Sequence, residues 1–249
     1  MCKEASIVPG DRVLEIGSGR GILTRAILQA GPELLFSIEL DRKLEGAVEP
    51  LIGEHGNLKV IWKDALSIDY RSTFSEPPNK VVANIPYQIT TELLWKLLEE
   101  AAPIGAGFML LMVQREAAER IQAPARTRRS NPLSLTLSRM GSVKVVKHVP
   151  PVVFSPQPKV ESAIIRISLS DCLFLENNPC WRFFLEKAFH QRRKTLLNNI
   201  VHGLHEKRDE VLEWFEKLEI GEMQRAEELE TVKLEGLFRK WNENRRAGC

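Results

Sequence analysis

An α/β fold, with a mostly parallel sheet covered on both faces and a small all-helical domain after it, is predicted by three observations. Short β-branched, apolar runs alternate with helical patterns through the first two thirds of the chain. A glycine-rich loop lies between the first such run and the first helical pattern. After about residue 170 the alternation stops and only helical periodicity remains.

The elements follow in order. Apolar runs at residues 13–16, 34–38, 58–62, 80–83, 107–113, 142–147 and 163–167 read as strands. Helical patterns at 22–30, 44–51, 91–101, 115–122 and 133–140 fall between them. On the third helix Leu94, Trp95, Leu97 and Leu98 form an apolar stripe that core packing explains. Asn177-Asn178-Pro179 reads as a turn, and helices are expected over 180–200, 207–218 and 226–242. The expected division is therefore a sheet domain over 1–170 and a helical domain over 171–249.

Bulk properties exclude several classes. The chain has 249 residues, 43% hydrophobic, enough to bury a sizeable core. No apolar run approaches the ~18 residues of a membrane span, and the start shows no signal-peptide pattern. Cys2, Cys172, Cys180 and Cys249 are scattered, without metal-ligand or disulfide-framework spacing, which points to reduced thiols and a cytoplasmic location. The five histidines form no ligand constellation, so no metal is expected. The net charge of +2 does not by itself suggest a polyanion partner, but its distribution does. From Arg115 to Lys147 the cations are Arg115, Arg120, Arg126, Arg128, Arg129, Arg139, Lys144 and Lys147, against only Glu116 and Glu119. Arg192-Arg193-Lys194 forms a second cluster. The candidate nucleic-acid contacts are Arg115, Arg126, Arg128, Arg129, Arg192, Arg193 and Lys194.

Three segments carry the chemistry. In Glu15-Ile16-Gly17-Ser18-Gly19-Arg20-Gly21 the glycines permit positive φ and let backbone N–H groups approach a ligand closely. The spacing is G-x-G-x-G, not the dinucleotide G-x-G-x-x-G. Glu39, after the second strand, can bind a ribose diol, which suits a nicotinamide or an S-adenosylmethionine site equally. Asp64-Ala65, after the third, offers a carboxylate for an adenine amino group and a backbone N–H for its ring. Three ligand candidates at successive strand C-termini match the binding edge of open α/β sheets.

Asn84-Ile85-Pro86-Tyr87 follows the fourth strand. An exocyclic adenine nitrogen is a poor nucleophile because its lone pair is delocalised into the ring. The Asn84 side-chain carbonyl and the Ile85 backbone carbonyl can accept its two N–H bonds. Pro86 restricts the preceding residue, and Tyr87 can stack on the base face.

These motifs, in this order, resemble those of the ribosomal RNA adenine dimethyltransferases. The resemblance extends through Val149–Ala163 (Val149-Pro150-Pro151-Val152-Val153-Phe154-Ser155-Pro156-Gln157-Pro158-Lys159-Val160-Glu161-Ser162-Ala163), Ala188-Phe189-His190-Gln191-Arg192-Arg193-Lys194-Thr195-Leu196 and Arg225-Ala226-Glu227-Glu228-Leu229. It implies a Rossmann-like, seven-stranded methyltransferase sheet with a helical C-terminal domain. It implies S-adenosyl-L-methionine as cofactor and N6,N6-dimethylation of two adjacent adenosines near the 3′ end of small-subunit rRNA, during small-subunit biogenesis. By motif position, Glu15, Gly17, Gly19, Gly21, Glu39, Asp64, Ala65 and Asn84 fall on the cofactor site. Asn84, Pro86, Tyr87 and Phe154 fall on the target-base site. The partner is small-subunit rRNA or the assembling subunit, and a monomer is expected. Family members carry a further N-terminal segment over the cofactor, so the pocket is expected to be open here. Residues 123–131 are more arginine-rich than the family pattern. Alternatives are a large-subunit adenine methyltransferase of the antibiotic-resistance type and a non-catalytic assembly factor on the same fold. A dehydrogenase is disfavoured by the glycine spacing.

Overall fold

The computed structural model describes residues 1–153, 157 and 160–247, the last two of these in their backbone only. Seven strands form one sheet in the order β3-β2-β1-β4-β5-β7-β6. They are β1 (Arg12–Ile16), β2 (Leu34–Glu39), β3 (Leu58–Trp62), β4 (Lys80–Asn84), β5 (Phe108–Gln114), β6 (Gly141–Val149) and β7 (Ser162–Leu169). Each expected strand is present within two residues at either end. β1 to β5 pair in parallel, while β7 runs antiparallel to both β5 and β6.

The burial of each strand explains its sequence. All six residues of β2 are buried, as befits an inner strand with both faces covered. β6, at the edge, has no buried residue; Lys144 and Lys147 sit on it, and a bulge lies between Val145 and Lys147. Gly141 opens β6 because a Cβ there would lie 2.1 Å from the Ser168 carbonyl oxygen.

The chain forms two compact units, Met1–Glu119 with Met140–Leu173, and Arg120–Arg139 with the chain from Phe174 onward. The sequence pattern alone predicts one boundary at 170 and keeps residues 120–139 with the sheet. The physical reason for the difference is a set of contacts within the second unit. The Trp181 indole N–H donates to Thr136 Oγ1 at 2.9 Å, Arg139 pairs with Glu235 at 3.0 Å, and Arg126 pairs with Glu230 at 3.1 Å. The core of this unit is aromatic: Trp181 meets Phe238 edge-on with centroids 5.3 Å apart, and Phe184 and Trp241 pack beside them. Such pairs contribute about 0.5–1.5 kcal/mol each beyond their area.

The largest differences in helix boundaries are three. The expected helix at 91–101 runs as α-helix only over Thr90–Lys96 and continues as a π-turn over Leu97–Ala101. The expected helix at 180–200 is two, Trp181–Ala188 and Leu196–Leu204. Buried Asn199 fixes that break: its Nδ2 donates to the carbonyls of Ala188 at 2.8 Å and Gln191 at 3.2 Å, satisfying backbone acceptors at the end of the first helix and just past it. The expected helix at 226–242 is a 3-10 turn, Ala226–Glu228, and then Thr231–Ala247.

Candidate active site and nucleic-acid interface

The glycine loop leaves the C-terminal end of β1. Gly17, Gly19 and Gly21 have φ of +79°, +55° and +76°, a run that side-chain-bearing residues rarely adopt. The Gly17 N–H donates to the Ile38 carbonyl at 2.8 Å, tying the loop to the end of β2. Space in front of Gly19 is open, with nothing within 4 Å of where a Cβ would stand. A Cβ on Gly17 would lie 3.6 Å from the Asn84 carbonyl oxygen. The loop therefore stands against the end of β4, as the β1–β4 pairing requires.

Glu15 is fully buried below this loop. Its Oε2 accepts hydroxyl hydrogen bonds from Thr24 at 2.8 Å and Ser37 at 2.7 Å, while Oε1 is buried with no partner among the described residues. Burial pushes its carboxyl up from 4.5 to about 7, against the pull of the two hydroxyls and with a small push from Glu39. By motif position Glu15 is expected at the cofactor. In the structure it faces the core instead and links β1 and β2 to the helix Ile22–Gln29 that the loop opens.

Glu39 ends β2 and is nearly buried. Its Oε1 accepts the N–H groups of Leu40 and Asp41 at 2.9 Å each. Its Oε2 accepts the Gly19 N–H at 2.8 Å and the Ser18 hydroxyl at a long 3.4 Å. The acid thus shapes the loop as well as facing it. Asp64, after β3, accepts the Leu66 N–H on Oδ1 at 2.9 Å, leaving Oδ2 without a partner among the described residues. The Ala65 carbonyl accepts the Tyr70 hydroxyl at 3.1 Å.

Asn84 ends β4 opposite Met112, and its side chain is exposed and without a protein partner among the described residues. Buried Ile85 donates its N–H to the Met112 carbonyl at 3.1 Å, which anchors the stretch to β5. Pro86 is exposed, with φ −57° and ψ 131°, and starts the 3-10 turn Tyr87–Ile89. The Tyr87 phenol lies 2.8 Å from Ser162 Oγ, a buried residue at the start of β7. Sequence reasoning did not single out Ser162 or this tether; β5 lies between β4 and β7, and only that strand order brings the two together. Phe154, expected across the base, lies outside the described residues.

Among the cations, Arg115 is held by two carboxylates, Glu119 at 3.2 Å and Glu161 at 2.7 Å, which push its pKa further up. It is an exposed cation whose charge is already matched by two carboxylates. In the second unit the two sequence-distant clusters meet: the Arg192 guanidinium donates to the Arg128 carbonyl. Arg126, Arg128, Arg129, Arg193 and Lys194 are exposed in that same unit. Arg126 adopts φ +61° and pairs with Glu230. No helix of the described residues is long and apolar enough to cross a membrane, and no described cluster of His, Cys, Asp and Glu could hold a metal ion.

Comparison with known proteins places this arrangement. A family model described as ribosomal RNA adenine dimethylase matches residues 1–238. Ribosomal RNA small subunit methyltransferase A of Alkaliphilus oremlandii (strain OhILAs) is 36% identical over 205 residues, covering 80% of this chain and 70% of that protein. The protein of the same name from Acaryochloris marina (strain MBIC 11017) is 38% identical over 230 residues, covering 90% of this chain and 84% of its own length. The crystal structure of a dimethyladenosine transferase from Plasmodium falciparum superposes with a TM-score of 0.80 at 26% identity, over 97% of this chain and 94% of that one. On the family match and on identities above a third across most of both chains, the protein belongs to the ribosomal RNA adenine dimethylase family.

Proposed function

We propose that this protein transfers methyl groups from S-adenosyl-L-methionine to the exocyclic nitrogens of two adjacent adenosines near the 3′ end of small-subunit rRNA, yielding N6,N6-dimethyladenosine. The observation that carries the reading is the juxtaposition of the open glycine loop and the exposed Asn84 carboxamide at neighbouring strand ends. The names of the small-subunit relatives favour that RNA over the large-subunit alternative.

The cofactor fits the residues present. Open space before Gly19 gives backbone access for the methionine portion. On the Glu39 carboxylate the 3.4 Å Ser18 contact is the weakest of four, and so the one a ribose hydroxyl displaces. The unpartnered Asp64 Oδ2 can accept from the adenine amino group, beside the Ala65 backbone. Bound there, the cofactor supplies an electrophilic methyl on a sulfonium leaving group.

The chain's own residues do the rest. The Asn84 Oδ1 and the Ile85 carbonyl accept the two N–H bonds of the target nitrogen, concentrating its lone pair toward the methyl. Pro86 holds Ile85 in place, and the Tyr87 ring, fixed through Ser162, stacks on the base. Positioning of this kind can supply on the order of 7–11 kcal/mol of the barrier. The cations of the second unit hold the RNA phosphates in this reading, Arg192, Arg193 and Lys194 foremost.

The test is methyl transfer to purified unmodified small subunits, with mass mapping of the product nucleotides. Two adjacent dimethyladenosines near the 3′ end are expected, and none with Asn84→Ala. Label found only in large-subunit RNA, or full turnover by Asn84→Ala, refutes the assignment.

A further inference from the structure

Beside the Arg192-Arg193-Lys194 loop, within the second unit, lies a cavity of about 190 Å³ lined by Gln191, Lys194, Asn198, Asn199 and His202. At ~30 Å³ per water molecule it has the room of a sugar ring rather than of a helix or an aromatic cluster. Every lining side chain is polar, so an apolar occupant is disfavoured. Lys194, Asn198 and His202 recur every fourth residue, one stripe running into the helix Leu196–Leu204.

The informative residue is Asn199, which is 6% exposed. Its Nδ2 donates to both the Ala188 and Gln191 carbonyls, which locks the carboxamide in one orientation. Oδ1 is then the atom left for an occupant, and no described residue donates to it. An unpartnered carbonyl oxygen held this way in the cavity lining repels an anion placed against it and calls for a hydroxyl or amine donor. At the rim the Lys194 ammonium calls for an anion. A neutral donor beside an anion is what a ribonucleotide presents, with its 2′-hydroxyl next to the 3′-phosphate.

We propose that this cavity seats one ribose of the RNA, with its 2′-hydroxyl donating to Asn199 Oδ1 and its phosphate on Lys194. Gln191, Asn198 and His202 close around the sugar. The inference rests on the reading that the protein acts on RNA, and adds to it a means of telling RNA from DNA away from the reacting base.

The experiment measures binding of the full-length chain to a fluorescently labelled single-stranded oligoribonucleotide and to the oligodeoxyribonucleotide of the same sequence. Asn198→Leu fills the cavity without removing any hydrogen bond made by a side chain in the protein. His202→Leu is the second variant, and thermal unfolding verifies that both fold. The wild type should prefer RNA by roughly five- to ten-fold, the worth of about one hydrogen bond. Both variants should lose that preference through weaker RNA binding alone. Equal affinity of the wild type for both strands, or variants that keep the preference, overturns the proposal, as does a parallel loss on RNA and DNA. Failure of methyl transfer on purified subunits would count against the function above while leaving this readout standing, so the two failures are distinguishable.

Discussion

Replacing Glu15 by glutamine should flatten the dependence of stability on pH. In the unfolded chain this carboxyl ionises near 4.5, and in the folded chain burial moves it to about 7. Between those values the folded state holds a proton that the unfolded state has released, so stability falls as pH rises. The contribution is fully present below about pH 4.5, declines through the interval and is gone above about pH 7. At about 1.36 kcal/mol per pH unit, the loss amounts to roughly 3 kcal/mol. Two hydroxyl donors on Oε2 and none on Oε1 explain why burial prevails. Glutamine keeps the shape and an acceptor for Thr24 and Ser37 and has no proton to exchange. Urea unfolding of both proteins from about pH 5 to about pH 8 isolates the residue, because every other titrating group is common to the two. The wild type should lose about 2.5 kcal/mol more than the variant across this range, which leaves out the part already lost below pH 5. Parallel curves would refute the argument from buried charge.

The remaining predictions are shorter. Gly141→Ala forces a Cβ onto the Ser168 carbonyl and should destabilise the β6–β7 pairing by several kcal/mol, read as a fall in the urea midpoint. Ser162→Ala frees the Tyr87 hydroxyl and should lower kcat about five-fold, as loss of about 1 kcal/mol of positioning, with thermal unfolding little changed. RNA affinity should fall steeply with salt, and Arg193→Ala should lower the slope of log affinity against log salt by roughly one; an unchanged slope would remove Arg193 from the phosphate contacts.

How much could be read in advance depended on how far each property reaches along the chain. The glycine loop and the Asn84–Tyr87 stretch are local: a turn needing positive φ and a polar strand end announce themselves within a few residues, and both stand where expected. Glu15 could not be read that way. Its role depends on the β1–β2 register, which sets it opposite Ser37, and on a helix that returns Thr24 to the same spot. In the loop motif alone a core-facing and a ligand-facing acid look the same. Tyr87 and Ser162 stand 75 residues apart and meet only through the strand order. The cations show the same effect more sharply. Counted within their own window they are almost unopposed, yet Arg115 is matched by Glu161, Arg126 by Glu230 and Arg139 by Glu235, at separations of 46, 104 and 96 residues. The first two are exposed ion pairs, which hold by only about 0–1 kcal/mol, little enough for an RNA phosphate to take the place of the carboxylate. A window count of charge therefore finds residues able to bind a polyanion, while the fold decides which of them must first release an acid. That exchange sets apart Arg115 and Arg126, whose partners are known, from Arg193 and Lys194, whose side chains form no ion pair among the described residues.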